Sequence, residues 1–172
     1  MIGAGIAGLS VAYQLTNSGK SVIVLEDGPI VSGETERTTA HLVNALDDRY
    51  FELEQMHGEG GARLAAESHT AAIDAIERTV TDERIDCEFV RLDGYLFKAP
   101  DAAEDLLNRE LAAARRAGLR DLEIVERAPL GTFETGPALR WPGQAQFHGT
   151  VPRTARAMID SARCSTGRRT PT

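Results

Sequence analysis

The sequence predicts an α/β fold, and three observations in its first 27 residues carry that expectation. Gly3, Gly5 and Gly8 form the spacing G-x-G-x-x-G directly after an apolar start. A run with helical periodicity follows, with Ile6, Leu9, Val11, Ala12 and Leu15 apolar. After the break Asn17-Ser18-Gly19-Lys20, the β-branched run Ser21-Val22-Ile23-Val24-Leu25 ends in the acid Glu26. This is the order of a strand, a glycine turn, a helix and a second strand closed by a carboxylate, the plan of a dinucleotide-binding βαβ unit. Only Met1 and Ile2 precede Gly3, so the leading strand is short.

Each part of the motif has a physical task. Gly3 lets the chain leave the strand through a tight turn, and Gly5, lacking a Cβ, lets a pyrophosphate approach the helix N-terminus. Gly8 allows the helix to lie close to the strand. Amides at Gly5, Ile6 and Ala7, at the positive end of the helix dipole, suit an anion. Glu26 lies 18 residues after Gly8, close to the roughly 20 expected of the acid that accepts the ribose hydroxyls. A carboxylate there repels a 2′-phosphate, which favours FAD or NAD over NADP.

The composition is that of a globular domain, with 42% hydrophobic and 26% charged residues over 172 positions. A net charge of −7 argues against nucleic acid or an anionic membrane as partner. No apolar run approaches the roughly 18 residues of a membrane span. The apolar start leads into the glycine motif without a basic region, unlike a signal peptide. Cys87 and Cys164 stand far apart, which reads as two free thiols in a reducing cytoplasm.

Further along, Asp27 to Gly33 is turn-rich and Glu34 to His41 is polar and dense in hydroxyls. Leu42 to Leu46 reads as a short buried segment. A helical pattern from Asp47 is broken by Gly58-Glu59-Gly60-Gly61, and a longer helix is expected over 62–81, with Leu64, Ala65, Ala72, Ile76 and Val80 inside. Residues 87–92 and 95–99, separated by Asp93-Gly94, predict a hairpin. Pro100-Asp101 should start a helix over 102–117 that Gly118 stops. Leu122 to Val125 reads as a strand, and 136–149 as one or two more.

Other constellations are best read blandly. Glu54 and His57 have the Glu-x-x-His spacing of a metal-binding helix, but a di-iron site needs two such pairs and further acids, so a solvated helix face is expected and no metal. His69 reads as a surface residue, His148 as a polar strand position, Asp47-Asp48 as helix N-terminal charge, and Trp141-Pro142-Gly143 as a turn with an aromatic lid over substrate or core. No nucleophile–base set is legible.

Taken together, GAGIAGLS…VIVLEDG, SGETERTTAHL, LDDRYFELEQMHGEGGARLAAESHTAAI and DCEFVRLDGYLF resemble the D-amino-acid-oxidase-type FAD-dependent oxidoreductases over about Met1 to His148. Among them the chain is most similar to bacterial members, some with a C-terminal Rieske iron–sulfur domain. No C-x-H or C-x-x-H ligand pair occurs in these 172 residues. The resemblance implies a two-domain flavoenzyme that oxidises the C–N bond of an amine or amino acid by hydride transfer to flavin. It implies that the segment 33–42 wraps the flavin, with Thr38, Thr39, His41 and Leu42 beside FAD; a polar loop is the alternative. The expected architecture is a partial Rossmann-type FAD-binding unit over 1–46 and an inserted helical and mixed-sheet substrate-domain region over 47–150. Residues 151–172 read as an irregular tail. Family members are about twice this length or more, and the unusual tail suggests a shifted or shortened reading frame. Three functions stay open: an FAD-binding enzyme, a fragment that neither binds nor catalyses, and an NAD-binding module.

Overall fold

The computed structural model describes residues 1–131 and 133–147. His148, Cys164 and the tail expected over 151–172 lie outside the described residues. The chain forms two compact units: Met1–Ala40 with Arg78–Phe89 and the stretch from Phe147, and His41–Glu77 with Val90–Gln146.

In the first unit, helix α1 spans Ile6–Asn17. It ends as the Asn17-Ser18-Gly19 break predicts: Gly19 takes φ 76°, and the Lys20 amide donates back to the Leu15 carbonyl at 3.0 Å. Its buried face is Leu9, Ala12 and Tyr13, an i, i+3, i+4 set, while Ile6, Val11 and Leu15 are exposed. The expected strand over 21–25 contracts to a single parallel bridge between Ile2 and Leu25. The Gly3 amide donates to the Leu25 carbonyl at 2.8 Å, and the Leu25 amide to the Met1 carbonyl at 3.0 Å. A parallel pair is stable when both faces are covered, and here Ile2, Ile23 and Leu25 are 89%, 75% and 60% exposed. A small core of Ala4, Leu9 and Val31, with Val24 and Phe147 against it, holds the glycine turn in place. Tyr13 donates its hydroxyl to Glu83 at 2.6 Å, tying α1 to the 78–89 segment.

The second unit is built on an antiparallel sheet whose centre is β4, Ala138–Gln146. Along it pair β1 (His41–Leu42), β2 (Val90–Phe97) and β3 (Glu123–Val125). The hairpin expected at Asp93-Gly94 is absent: β2 runs straight through these residues, and Leu92 faces Gln144 while Gly94 faces Trp141. The glycine marks a β-bulge rather than a turn. A Cβ on Gly94 would stand 3.2 Å from the Gln144 Cγ, so the close approach of β4 explains the residue. Opposite, Pro142-Gly143 supplies the extra residue of the bulge, with Gly143 at φ 74°. That is how a proline fits inside a central strand.

Helix α2, Tyr50–Asp82, is two helical segments that meet at Gly58, whose backbone is not helical (φ 71°, ψ 170°), so the chain breaks within the expected stretch 58–61. Its buried positions include Ala62, Ala66 and Ile73, while Leu64 is 66% exposed and Ala72 is exposed. The inner stripe is thus offset from the expected one. Small residues decide it: Ala62 and Ala66 share a core with Ala113, Ala114 and Ala117 of the α3 region, where only alanines permit the approach. Helix α3 spans Leu106–Arg116 and stops at Gly118, φ 106°. Tyr50, Leu107, Leu122, Leu139 and Trp141 complete this core. Of the stretch 42–46 it is Asn44, not an apolar residue, that is fully buried.

Candidate functional site

The glycine motif forms a cradle at the N-terminus of α1. Gly3 takes φ 95°, a value that side chains disfavour, and turns the chain from the bridge at Ile2 into the helix. A Cβ on Gly8 would collide with the Gly3 carbonyl oxygen, so the glycine is required for the helix to begin this close to the turn. Gly5 is the extended N-cap and offers no side-chain cap. No acid occupies the first turn of α1. The positive end of the helix dipole is therefore not neutralised by a carboxylate of its own helix. Ile6 and Ala7 are exposed here, and the arrangement can receive an anion.

Glu26 closes the cradle from the other segment. Its Oε2 accepts the Ala4 amide at 2.6 Å, and its Oε1 accepts the amides of Asp27 at 3.0 Å and Gly28 at 3.4 Å. The Ala4 amide, followed by Asp27, holds this carboxyl below the usual carboxylate range. The acid is thus ionised and fixed beside the turn.

Sequence reasoning passed over Thr35. Its Oγ1 accepts the Ile6 amide at 3.0 Å and would lie 3.2 Å from a Cβ on Gly5. A side-chain hydroxyl takes the helix-terminal donor that Gly5 cannot satisfy. The available signal was an uncapped glycine N-terminus together with a hydroxyl-rich segment, Glu34 to Thr39. Thr35 lies in a short 3-10 turn, Glu34–Arg37. Beyond it, the Thr38 Oγ1 accepts the Ala40 amide at 3.3 Å, and Thr39 is exposed. The structure thus brings Gly3, Gly5, Ile6, Ala7, Gly8 and Glu26 together with Thr35. His41 and Leu42 belong to the other unit as β1, opposite Gln146 and Ala145.

The remaining candidates have structural employment. Glu54 forms a two-point ion pair with Arg116 at 3.0 and 2.6 Å. His69 is exposed and its Nδ1 lies 3.4 Å from the Val43 carbonyl. Asp47 and Asp48 are exposed just before α2. Trp141 is 1% exposed and stacked on Tyr50 with centroids 5.9 Å apart, so it covers core.

Comparison with known proteins bears on this geometry. The family model described as FAD dependent oxidoreductase (DAO) matches residues 1–165. The putative Rieske 2Fe-2S iron-sulfur protein YhfW of Bacillus subtilis (strain 168) is 37% identical over 149 residues, 86% of this chain and 29% of that protein. The gamma-glutamylputrescine oxidoreductase of Escherichia coli (strain K12) is 27% identical over 126 residues, 73% of this chain and 29% of that protein. Among solved structures, glycine oxidase from Geobacillus kaustophilus superposes with a TM-score of 0.71 at 20% identity, covering 94% of this chain and 43% of the oxidase. That likeness shows a shared fold. The chain spans under a third of the length of the curated relatives it matches.

Proposed function

Since the chain belongs to the DAO family of FAD-dependent oxidoreductases, we propose that its α1 cradle binds the pyrophosphate of FAD. The carrying observation is the convergence of the glycine turn, the acid-free helix N-terminus and the ionised Glu26 on one small core. Ile6 and Ala7 supply amides to the pyrophosphate, with Gly3, Gly5 and Gly8 making room. Glu26 stands by the turn to meet the ribose hydroxyls. Thr38, Thr39, His41 and Leu42 flank the flavin, a role supported by the family resemblance of the segment. When bound, flavin supplies the hydride acceptor for oxidation of a C–N bond. The similarity to a gamma-glutamylputrescine oxidoreductase, together with the fold shared with a glycine oxidase, supports an amine or amino acid as the substrate class.

In this reading residues 1–46 contribute to the cofactor domain and 47–150 to the substrate side. No described helix is long and apolar enough to cross a membrane. A cytoplasmic setting goes with this reading, supported by the presence of only two cysteines, Cys87 and Cys164, far apart in the sequence. The visible spectrum of the purified protein tests the proposal. A flavin-type absorbance that persists through desalting is expected; a colourless protein that also takes up no added FAD refutes it.

A further inference from the structure

Within the second unit, the 63–74 stretch of α2 and the stretch 115–120, the end of α3 and the turn that follows it, enclose a groove of about 590 Å³, the volume range of small-ligand sites. Four guanidiniums line it: Arg63, Arg115, Arg116 and Arg120. Arg116 is occupied by Glu54, and the lining acid Asp74 is held by Arg91 at 2.6 Å. Arg115 spends one donor on the Leu122 carbonyl at 2.7 Å, with no carboxylate partner among the described residues. Arg63 and Arg120 are exposed and have no ion pair among the described residues. Against these three cations the lining offers a single acid without a described ion pair, Glu67. The floor is small and apolar, with Ala66 and Ala117 each 2% exposed.

A surplus of three unmatched guanidiniums in one groove is unusual in a chain of net charge −7. Exposed arginines repel one another unless an anion lies between them, and the planar fork of each suits two oxygens of a carboxylate or phosphate. We propose that this groove is a binding site for a small, multiply charged oxyanion, separate from the α1 cradle. The shared chemistry is two or more oxyanion groups on a compact body. Carboxylate and phosphate are its two possible sources. The inference rests on unit-two residues alone, not on the FAD reading.

Titration of the isotope-labelled full chain with pyrophosphate, and separately with citrate, tests it through backbone amide shifts. Saturable shifts at 63–71 and 117–120 are expected with at least one anion, and which anion binds more tightly identifies the source. The variant Arg63→Gln/Arg120→Gln should weaken that binding by about tenfold or more while leaving far-UV circular dichroism unchanged. Shifts confined to residues 3–8, or absent, would overturn the proposal. So would equal binding by the double variant, or binding abolished by 150 mM sodium chloride, on the order of ordinary surface screening.

Discussion

The Glu26 carboxylate accepts the amide of Ala4 at 2.6 Å, so the acid that ends one extended segment is bonded to the glycine turn that leaves the other. Since the fold holds this carboxyl below its ordinary range, its contribution is present above the ordinary carboxylate pKa and is lost as pH falls through the folded value. Glu26→Gln should therefore remove part of the acid-side loss of stability. Melting curves between pH 3 and 7 check this: the variant's profile should be flatter on the acid side.

Gly8 answers to the Gly3 carbonyl. Gly8→Val places side-chain carbon on that oxygen, and overpacking of this kind costs about 1–3 kcal/mol. Gly19→Ala, by contrast, meets no atom within 4 Å and strains only a positive φ, so its cost should be smaller, about 1 kcal/mol. Chemical denaturation of the two variants in parallel reads the difference.

Thr35 and an incoming anion compete for one donor, the Ile6 amide. Thr35→Ala should cost the free protein about 0.5–1 kcal/mol. It should also enlarge the thermal gain on adding FAD, because the ligand no longer displaces a hydroxyl. Calorimetric melting with and without cofactor measures both quantities.

Asn44 is the polar hub of the second unit. Its Oδ1 accepts Trp141 Nε1 and Gln144 Nε2, each at 2.8 Å, and its main-chain carbonyl accepts the Tyr50 hydroxyl at 2.7 Å. Asn44→Ala strands the Trp141 indole donor, at about 1–3 kcal/mol, while Gln144 Nε2 keeps its bond to the Pro142 carbonyl at 3.0 Å. Loss of the Trp141 near-UV dichroism together with a fall in denaturation midpoint is the expected result.

Glu110 is fully buried, its Oε1 without a partner among the described residues and its Oε2 taking the Phe51 amide at 3.4 Å. Burial pushes its carboxyl up, against the opposing pull of the Tyr50 and Phe51 amides and Arg49. A raised folded pKa means full stability below the ordinary value and loss as pH rises through the folded one. Glu110→Gln should flatten the neutral-side decline that Glu26 does not touch, a result that melting curves from pH 4 to 8 would show.

The opening unit was legible because its constraints are local. Gly3, Gly8 and Glu26 act within one turn and two short segments, and spacing alone encodes them. The second unit misled where tertiary contacts govern. Asp93-Gly94 has the chemistry of a hairpin turn, yet the nearness of Gln144, fifty residues on in sequence, makes it a bulge. The α2 stripe expected at Leu64, Ala65, Ala72, Ile76 and Val80 is offset from the observed one, because Ala62 and Ala66 pack against the alanines of the α3 region, a contact that periodicity does not encode. The stretch 42–46 reads as a short buried segment without singling out Asn44, whose hydrogen bonds across a hundred residues leave no local trace.

The central claim, that the α1 cradle holds FAD, is met most directly by the melting temperature of the purified chain with FAD, NAD or NADP at equal excess. A ligand that binds only the folded state at a hundred times its Kd adds about 2.7 kcal/mol, a shift of roughly 5–10 °C for a chain of this size. The account predicts that shift with FAD and little with either nicotinamide nucleotide. No shift with FAD, or a shift with NAD alone, would contradict it.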